Sequence, residues 1–179
     1  MAIIGGHKPG QFGLSVLVQD VAAAANFYRT VLGAEETART TLDEPIHGLA
    51  RGIVTAIEMR LGDVHLCVGL ENPRWSEAPR RDWPRAPHSA GTTTALFSLY
   101  VSDVDDAISR ALEAGARLYS EGSAVEDAYW GDRVGQFVDP FGHVWRLMTA
   151  REAVAREDLS ARVAALRASH HETRPGRHA

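Results

Sequence analysis

A single arginine stands in an apolar run near the end of the second half of the chain. Arg146 lies in HVWRLM, and the alternation of a strand would place Val144, Arg146 and Met148 on one face. An isolated guanidinium ion on an apolar face is unfavourable unless an acidic group opposes it. The pattern therefore indicates either an internal ion pair or a bidentate anchor for a carboxylate, phosphonate or carbonyl-rich ligand.

Four carboxylates of the chain are candidate partners for Arg146: Glu58, Glu126, Asp127 and Asp132. Glu58 is predicted to lie cross-strand from His65 on the outer face of the sheet, which makes it the least favoured partner. Asp132 adjoins Arg133 in the turn WGDR, so a local ion pair is an alternative for Asp132. An acidic ligand is the remaining way to balance the guanidinium charge.

Alternation along the other predicted strands supplies the rest of the face that carries Arg146. Ser15 and Ser98 contribute hydroxyl groups and Tyr100 contributes a phenol. The complete predicted face is Ser15, Leu17, Val64, Leu66, Val68, Ser98, Tyr100, Val144, Arg146 and Met148. A few polar groups on an apolar surface are typical of a small-molecule pocket. Tyr100 and His65 are possible acid–base groups, but no nucleophile and base stand at a recognisable spacing, so the sequence assigns no catalytic residue.

Four aromatic residues outside these strands are further candidates for ligand contact. Tyr129 and Trp130 precede the last hairpin, where they would either pack on a flat ligand or bury the edge of the hairpin. Trp75 and Trp83 lie in a segment rich in proline and arginine. They would either pin a long crossover to the surface, or form a lid over a ligand or a dimer contact.

An internal repeat must position these residues. Residues 14–34 are echoed by residues 96–116, and both copies consist of a strand, Val-x-Asp-Val, a helix and Gly-Ala. The predicted helix caps are Asp20 and Gly33 in the first copy and Asp103 and Gly115 in the second. The predicted apolar stripes are Val21, Ala24, Ala25, Tyr28 and Leu32, and Val104, Ala107, Ile108, Ala111 and Leu112.

A hairpin follows each predicted helix, with its turn at Gly62 in the first copy and at Asp139-Pro140-Phe141-Gly142 in the second. The repeat predicts an α+β fold in which two βαβββ modules pair into a cupped mixed sheet, with the helices on the outer face. The predicted boundaries are 1–72 for the first module, 73–92 for a linker loop and 93–150 for the second module. An amphipathic C-terminal helix over 151–168, with Val154, Leu159, Val163 and Leu166 as its stripe, and a disordered tail over 169–179 complete the chain.

Composition narrows the classes of partner. The 179 residues carry a formal charge of −4 and no sustained basic face, so nucleic acid is not an expected partner. No apolar run approaches the roughly 20 residues of a membrane span, so no membrane association is expected. The single cysteine, Cys67, excludes an internal disulfide and fits a reducing compartment. A cytoplasmic protein is therefore predicted.

Three stretches together carry a family resemblance: DVAAAANFYRTVLGA, RLGDVHLCV and AYWGDRVGQFVDPFGHVWRLMT, the last followed by AREDLSAR. In order and spacing they resemble the vicinal oxygen chelate superfamily, which includes glyoxalase I, extradiol dioxygenases, and fosfomycin- and bleomycin-resistance proteins. The resemblance covers roughly Gly13 to Arg167 and is strongest to a glyoxalase-like branch first noted in bacterial phosphonate operons. It implies paired βαβββ modules forming a cupped sheet, usually in a homodimer, with a ligand in each cup.

The resemblance also implies where a metal would bind. Metal-dependent members carry ligands on the first strand of each module, at the positions of Gly13 and Leu96, and on the last strand, at the positions of Leu66 and Arg146. Glycine, leucine and arginine side chains do not supply the nitrogen or oxygen ligands that such metals need. A one-residue slip would bring in His65 as a single ligand. No metal and no other cofactor is therefore predicted.

These observations leave three functions open. The favoured one is a metal-independent protein of the glyoxalase and bleomycin-resistance type that sequesters an aromatic or amphipathic metabolite or drug, as antibiotic-resistance members do. The alternative is a metal-independent enzyme, such as an isomerase, lyase or cyclase, in which acid–base groups act in the same cup and Arg146 stabilises negative charge. A metal-dependent lyase or dioxygenase is the third, beside a purely structural or regulatory dimer.

Overall fold

A computed structural model of the chain describes residues 12–75, 83–120 and 125–172, together with Gly10. The strands are β1 (Gly13–Val18), β2 (Glu35–Thr41), β3 (Val54–Leu61), β4 (Val64–Leu70), β5 (Leu96–Tyr100), β6 (Arg117–Leu118), β7 (Glu126–Asp127), β8 (Asp132–Val138) and β9 (Val144–Ala150). The helices are α1 (Val21–Leu32), α2 (Pro87–Ala90), α3 (Val104–Glu113) and α4 (Leu159–Glu172). The predicted α+β class, the repeated modules and the C-terminal helix are confirmed.

Each module holds its own mixed sheet. The first sheet has the strand order β1-β4-β3-β2, and the second has the order β5-β9-β8-β6 with β7 also paired to β8. In both, the strand before the helix runs parallel to the last strand, and the other neighbours are antiparallel. In the described part of the chain, no strand of one sheet pairs with a strand of the other, so the repeat builds two separate sheets.

The helices of the two modules begin as the sequence predicts. Asp20 accepts a hydrogen bond from the amide of Ala23 at 2.9 Å, and Asp103 accepts one from the amide of Asp106 at 3.1 Å. These caps satisfy amides that have no partner inside a helix. Helix α1 ends at Gly33, whose φ of 73° is a left-handed conformation that glycine adopts without strain. The predicted stripes are buried, except that Leu112 in the last turn of α3 is 39% exposed.

The layer of helices α1 and α3 is shared between the two sheets. Helix α1 packs on β3 and β4 of its own sheet and on α3. Its Phe27 ring also lies 6.1 Å from the ring of Phe137 in β8, and its Tyr28 ring lies 5.6 Å from that of Trp145 in β9. All four side chains belong to one buried cluster. Each sheet therefore turns its helix side inward, and its other side, here called its open face, turns outward.

A buried carboxylate joins the modules inside the shared core. Asp139 Oδ2 accepts hydrogen bonds from the Tyr28 hydroxyl at 2.8 Å and from Trp145 Nε1 at 3.0 Å, while Oδ1 accepts from the amides of Phe141 and His143, both at 2.9 Å. Burial, followed by the nearby Asp139, raises the pKa of Tyr28. His143, only 7% exposed, adds a second link because its Nε2 lies 3.1 Å from the carbonyl oxygen of Leu17. His143 is therefore a buried part of the link between the modules.

The C-terminal segment differs from the predicted amphipathic helix. Residues 151–155 are not helical, a 3-10 turn spans Arg156–Asp158, and α4 extends to Glu172. Leu166 of the predicted stripe is 44% exposed, and the side chains of residues 159–168 bury no continuous apolar face. The predicted tail beyond 172 lies outside the described residues. Of the described helices, none combines the length and apolarity that crossing a membrane requires.

Candidate functional site

The open face of the second sheet carries the polar groups that the sequence places together. In the strand register, Arg146 of β9 lies between Ser98 of β5 and Gln136 of β8. The neighbouring row pairs Tyr100, Met148 and Val134 in the same order, and Leu96 pairs with Val144. Trp145 and Leu147 alternate with these residues and are buried against the helices. The structure therefore brings Ser98, Tyr100, Val144, Arg146 and Met148 to one face, as alternation predicts.

Arg146 is half-buried on this face and lacks an ionic partner among the described residues. Its Nε atom is buried and has no hydrogen-bond acceptor. The side chains beside it in the register, Ser98 and Gln136, are neutral. A buried guanidinium donor without an acceptor is costly, because it has lost water and gained nothing in exchange. This Nε–H group is a buried donor on the face for which no described side chain provides an acceptor.

None of the four predicted carboxylates pairs with Arg146. Glu58 lies against His65, on the other sheet. Asp127 binds Arg133 at 3.1 Å, and Glu126 is exposed in β7. The predicted local pair between Asp132 and Arg133 is wrong, because Arg133 instead binds both oxygens of the Asp105 carboxylate. Asp105 lies in the first turn of α3, so Arg133 ties that helix to β8.

Asp132 instead forms a hydrogen-bonded cluster with two aromatic residues at the edge of the same face. Its Oδ2 accepts from the Tyr100 hydroxyl at 2.7 Å and from Trp130 Nε1 at 2.8 Å. The bond to Asp132 is the main reason why the pKa of Tyr100 is raised, so the phenol stays neutral at physiological pH. Asp132 is only 7% exposed, whereas Tyr100 is 61% exposed. The cluster therefore holds an indole and a phenol in fixed positions beside an apolar surface.

Tyr129 lies next to the cluster but faces a different space. Its ring packs edge-on against Trp130 at 4.9 Å, and it lines a cavity of about 840 Å³ between the start of β8 and α4. The cavity is also lined by Arg133 and Arg162, which are paired with acidic side chains, and Arg146 is not among its lining residues. Tyr129 and Arg146 are thus not brought together within one chain.

The open face of the first sheet differs from the prediction in one strand. Ser15 is on it as predicted, but Leu66 and Val68 are fully buried against the helices. The register places Cys67 opposite Ser15 and Glu58, and His65 opposite Gly13 and Arg60. The prediction of Leu66 as a ligand contact is therefore wrong. Glu58 was predicted on the helix side of the sheet, but it lies on the open face.

Two linker tryptophans complete the predicted set. The side chain of Trp75 lies outside the described residues, although its backbone forms a short 3-10 turn. Trp83 is half-buried in the segment that leads into α2. Its role as a lid or dimer contact stays a prediction.

Sequence reasoning missed Gln136 and the acceptor role of Asp132. Gln136 follows from the same alternation that placed Arg146, because DRVGQFV is antiparallel to HVWRLM across the DPFG turn. The cluster of Asp132 with Tyr100 had no sequence signal, because 32 residues separate the two side chains.

The fold defines a class of α+β protein in which each of two βαβββ modules carries its own mixed sheet with one face away from the helices. The family model described as Glyoxalase/Bleomycin resistance protein/Dioxygenase superfamily matches residues 10–147. The chain belongs to this superfamily.

The chain is also similar to a curated relative and shares its fold with solved structures. An uncharacterized protein of Mycobacterium bovis is 32% identical over 150 residues, covering 82% of this chain and 87% of its own length. TioX from Micromonospora sp. ML1 shares the fold with a TM-score of 0.55 and 21% identity, covering 78% of this chain and 98% of its own. A gene product of Arabidopsis thaliana does so with a TM-score of 0.53 and 23% identity, over 79% and 98%.

The side chains at the superfamily's metal positions do not fit a metal. Three of the positions hold Gly13, Leu96 and Arg146, none of which supplies a ligand atom for a divalent cation. The fourth is Cys67 rather than Leu66, because Cys67 occupies the place in β4 that Arg146 occupies in β9. Among the described residues, no group of three His, Cys, Asp or Glu side chains could hold a metal ion.

Proposed function

We propose that the protein binds an amphipathic small molecule with an acidic group, without a metal, on the open face of the second sheet. The observation that carries this proposal is the buried Nε of Arg146, which has no acceptor in the described part of the chain. A ligand carboxylate or phosphonate supplies two acceptor oxygens in the planar arrangement that a guanidinium ion binds. The acidic group of the ligand would therefore neutralise the guanidinium charge, which no described side chain balances.

The surroundings of Arg146 favour an apolar or aromatic body for this ligand. Val134, Val144 and Met148 share the face, and all three are apolar and buried, each at most 9% exposed. Tyr100 and Trp130 stand at its edge with their polar atoms bound to Asp132, so their rings are held for stacking. An apolar surface with one charge and a few fixed polar groups is the usual composition of a ligand site.

We propose further that a second copy of the chain completes the site. The open face bears large exposed side chains, since Leu96 is 43% exposed and Tyr100 is 61% exposed. Within one chain the two open faces turn away from each other, so neither covers the other. They also differ in charge, because Arg146 lies on one and Glu58 on the other. A second copy that placed its Glu58 face on the Arg146 face of its partner would bring opposite charges together and cover the site, in a cytoplasmic setting that suits the single unpaired cysteine.

Native mass spectrometry of the purified protein tests ligand and assembly together. The expected spectrum is a dimer that carries, or accepts from a panel of aromatic carboxylates, one organic molecule per site. Arg146→Gln removes the charge-assisted bonds and is expected to weaken binding at least about 30-fold, since such a loss costs roughly 2 kcal/mol or more. Arg39→Gln is the matched control, because Arg39 is paired with Glu36 on the first sheet.

Two results would refute the proposed function. One is equal ligand binding by Arg146→Gln and Arg39→Gln, which would remove Arg146 as the anchor. The other is a stoichiometric metal ion in protein purified without chelator, released only on acid denaturation, which would return the protein to the metal-dependent class. A monomer that binds ligand with full affinity would refute the proposed dimer alone.

A further inference from the structure

A covered cavity, here called the end cavity, lies at one end of the open face of the second sheet. Its volume is about 390 Å³. Arg117 of β6, Val138 of β8 and Val144 of β9 lie side by side in its floor, and α2 with the residues that follow it forms its roof. The two valines face away from the helices and are outside the buried core cluster, yet they are only 6% and 4% exposed. The roof therefore covers this part of the face within a single chain.

Helix α2 is held in place by both modules. On the side of the first module, Glu71 accepts hydrogen bonds from the amide of Ala86 at 3.1 Å and from the Ser89 hydroxyl. On the side of the second module, α2 packs on the DPFG turn, where a Cβ atom at Gly142 would stand 2.8 Å from Pro87 Cβ. Only glycine allows the turn to approach α2 so closely. The end cavity is therefore preformed, as most small-molecule sites are.

The end cavity carries a permanent positive charge. The guanidinium ion of Arg117 lines it, and no carboxylate in the described part of the chain pairs with that ion. Asp139 is also in the lining, but both of its oxygens already accept hydrogen bonds within the core. His88 on the roof adds an imidazole, which can donate a further hydrogen bond. The described lining therefore offers a cation and a donor, and it holds no free carboxylate that would compete for them.

Arg117 and Arg146 lie on the same face, separated by an apolar strip. Arg146 is two residues from Val144 along β9, and Arg117 pairs with Val138 on the far side of β8. Neighbouring strands lie about 4.8 Å apart and strand residues rise about 3.4 Å each, so the two arginine backbones stand roughly 12 Å apart. The two valines occupy most of the surface between them, with Gln136 beside Arg146. Two guanidinium ions thus flank one apolar surface.

We propose that the ligand of the open face is a diacid, with one acidic group bound by Arg146 and the second bound by Arg117 in the end cavity. The inference rests on the proposed function, because it assigns a second acid to the same ligand. The apolar body of the ligand lies over Val138 and Val144, below the roof. A guanidinium ion binds a carboxylate or phosphonate through two parallel hydrogen bonds, and each arginine supplies one such fork. A flat, elongated body with an acid at each end therefore fits the face, whereas a single acid leaves one fork empty.

Isothermal titration calorimetry with two probes of one shape tests the second acid. The probes are biphenyl dicarboxylate, with an acid at each far end, and biphenyl monocarboxylate, each titrated into the full-length protein. The measured quantity is the affinity ratio, which is the dissociation constant of the monoacid divided by that of the diacid. We expect a ratio of about 10 or more in the wild type, since one more hydrogen-bonded contact to a charged group contributes roughly a tenfold gain in affinity.

Charge variants locate the second acid. Arg117→Gln is expected to lower the affinity ratio to the small statistical advantage of a ligand with two equivalent ends. Arg117→Glu reverses the charge and should make the diacid bind more weakly than the monoacid. Arg51→Gln is the matched control, because Arg51 is an exposed arginine in the loop between β2 and β3, and its ratio should equal that of the wild type. Arg117 is itself exposed, so both of its variants should fold, which circular dichroism checks.

The outcomes separate this inference from the proposed function. Three results would overturn the diacid: a wild-type affinity ratio near one, no binding of either probe, or equal ratios in Arg117→Gln and Arg51→Gln. Arg146→Gln should weaken the binding of both probes, and wild-type affinity for both in that variant would refute the proposed function instead. If the monoacid binds through Arg146 and the diacid binds no better, only the inference of a second acid fails.

Discussion

Replacing Asp139 by asparagine should destabilise the protein strongly. The change replaces one carboxylate oxygen with an NH2 group, and it should cost much more here than at the helix N-cap Asp103. Oδ1 of Asp139 accepts from two amides of its own turn, so the amide oxygen of an asparagine will take that place. The new Nδ2 group then faces the Tyr28 hydroxyl and Trp145 Nε1, both of which donate to Oδ2. The Tyr28 hydroxyl can rotate and accept instead, but the indole N–H cannot.

The expected cost follows from these contacts. Hydrogen bonds to a charged group contribute roughly 1.5–3 kcal/mol each, and a buried donor left without an acceptor costs about 1–3 kcal/mol. Since one of the two donors can be rescued, Asp139→Asn should lower the free energy of unfolding by about 2–4 kcal/mol. That is a large fraction of the roughly 5–15 kcal/mol of a typical domain. Urea denaturation followed by circular dichroism measures it.

A matched variant makes the experiment decisive. Asp103→Asn is the same chemical change at a helix N-cap, where asparagine caps as well as aspartate, so its cost should stay below about 0.5 kcal/mol. Tyr28→Phe removes the other hydrogen-bonding group, and a double-mutant cycle with Asp139→Asn should show coupling. If Asp139→Asn costs no more than Asp103→Asn, the reasoning about a polar link between the modules is refuted.

Three further outcomes concern single side chains. Burial lowers the pKa of His143 in the folded protein below its usual 6.5, so the unfolded chain binds a proton at a higher pH than the folded protein does. The protein should therefore lose stability as the pH falls through 6.5. In His143→Gln, the urea midpoint should depend less on pH between 7.5 and 5.5. Gly135→Ala should lower the unfolding free energy by about 1–3 kcal/mol, because its Cβ would stand 2.6 Å from Ile108 Cγ1; an unchanged melting temperature would contradict this. Iodoacetamide should alkylate Cys67 at pH 7.5 roughly 100-fold more slowly than free cysteine, and Glu58→Gln should speed the reaction; rapid labelling of the wild type would show that the thiol is not held protonated.

The second module could be read from its sequence because two local signals agree. The run HVWRLM alternates cleanly, and the turn DPFG fixes its pairing with the preceding strand, so Arg146 and its neighbours were assigned to the correct face. In the same way, Asp20 and Asp103 correctly predicted where helices α1 and α3 begin. Alternation and capping are properties of a few consecutive residues, which is why the sequence is sufficient for them.

The error in β4 has a geometric cause. Counting four residues from the hairpin glycine gives Arg146 in the second module and Leu66 in the first. The first hairpin pairs Leu61 with Val64 across two residues, whereas the second pairs residues 138 and 144 across five. In both hairpins the returning strand starts two residues after the glycine, but Val64 and Val144, its first residues, lie on opposite faces of their sheets, so the same count ends on opposite faces. Pairing to β1 reveals Cys67, but that pairing joins residues far apart in the chain.

The partners of the charged residues could not be predicted for a related reason. Arg133 binds Asp105, which is 28 residues away, rather than its neighbour in sequence. Such contacts depend on how α3 lies on β8, and no short-range pattern encodes that arrangement. The unpaired Nε–H donor of Arg146 likewise depends on the whole sheet, because the described neighbouring strands place neutral side chains beside it and no acceptor.

The shared layer of helices bears on how this chain came to have two unlike faces. A single module of this kind would leave the helix side of its one sheet uncovered, and a second copy of itself is the partner that the repeat implies. Fusion of two copies turns that contact from one between molecules into one within a chain, where it no longer depends on concentration. Each outward surface can then change without the other. Arg146 on one half, and Glu58 with His65 on the other, mark the divergence that gene duplication makes possible.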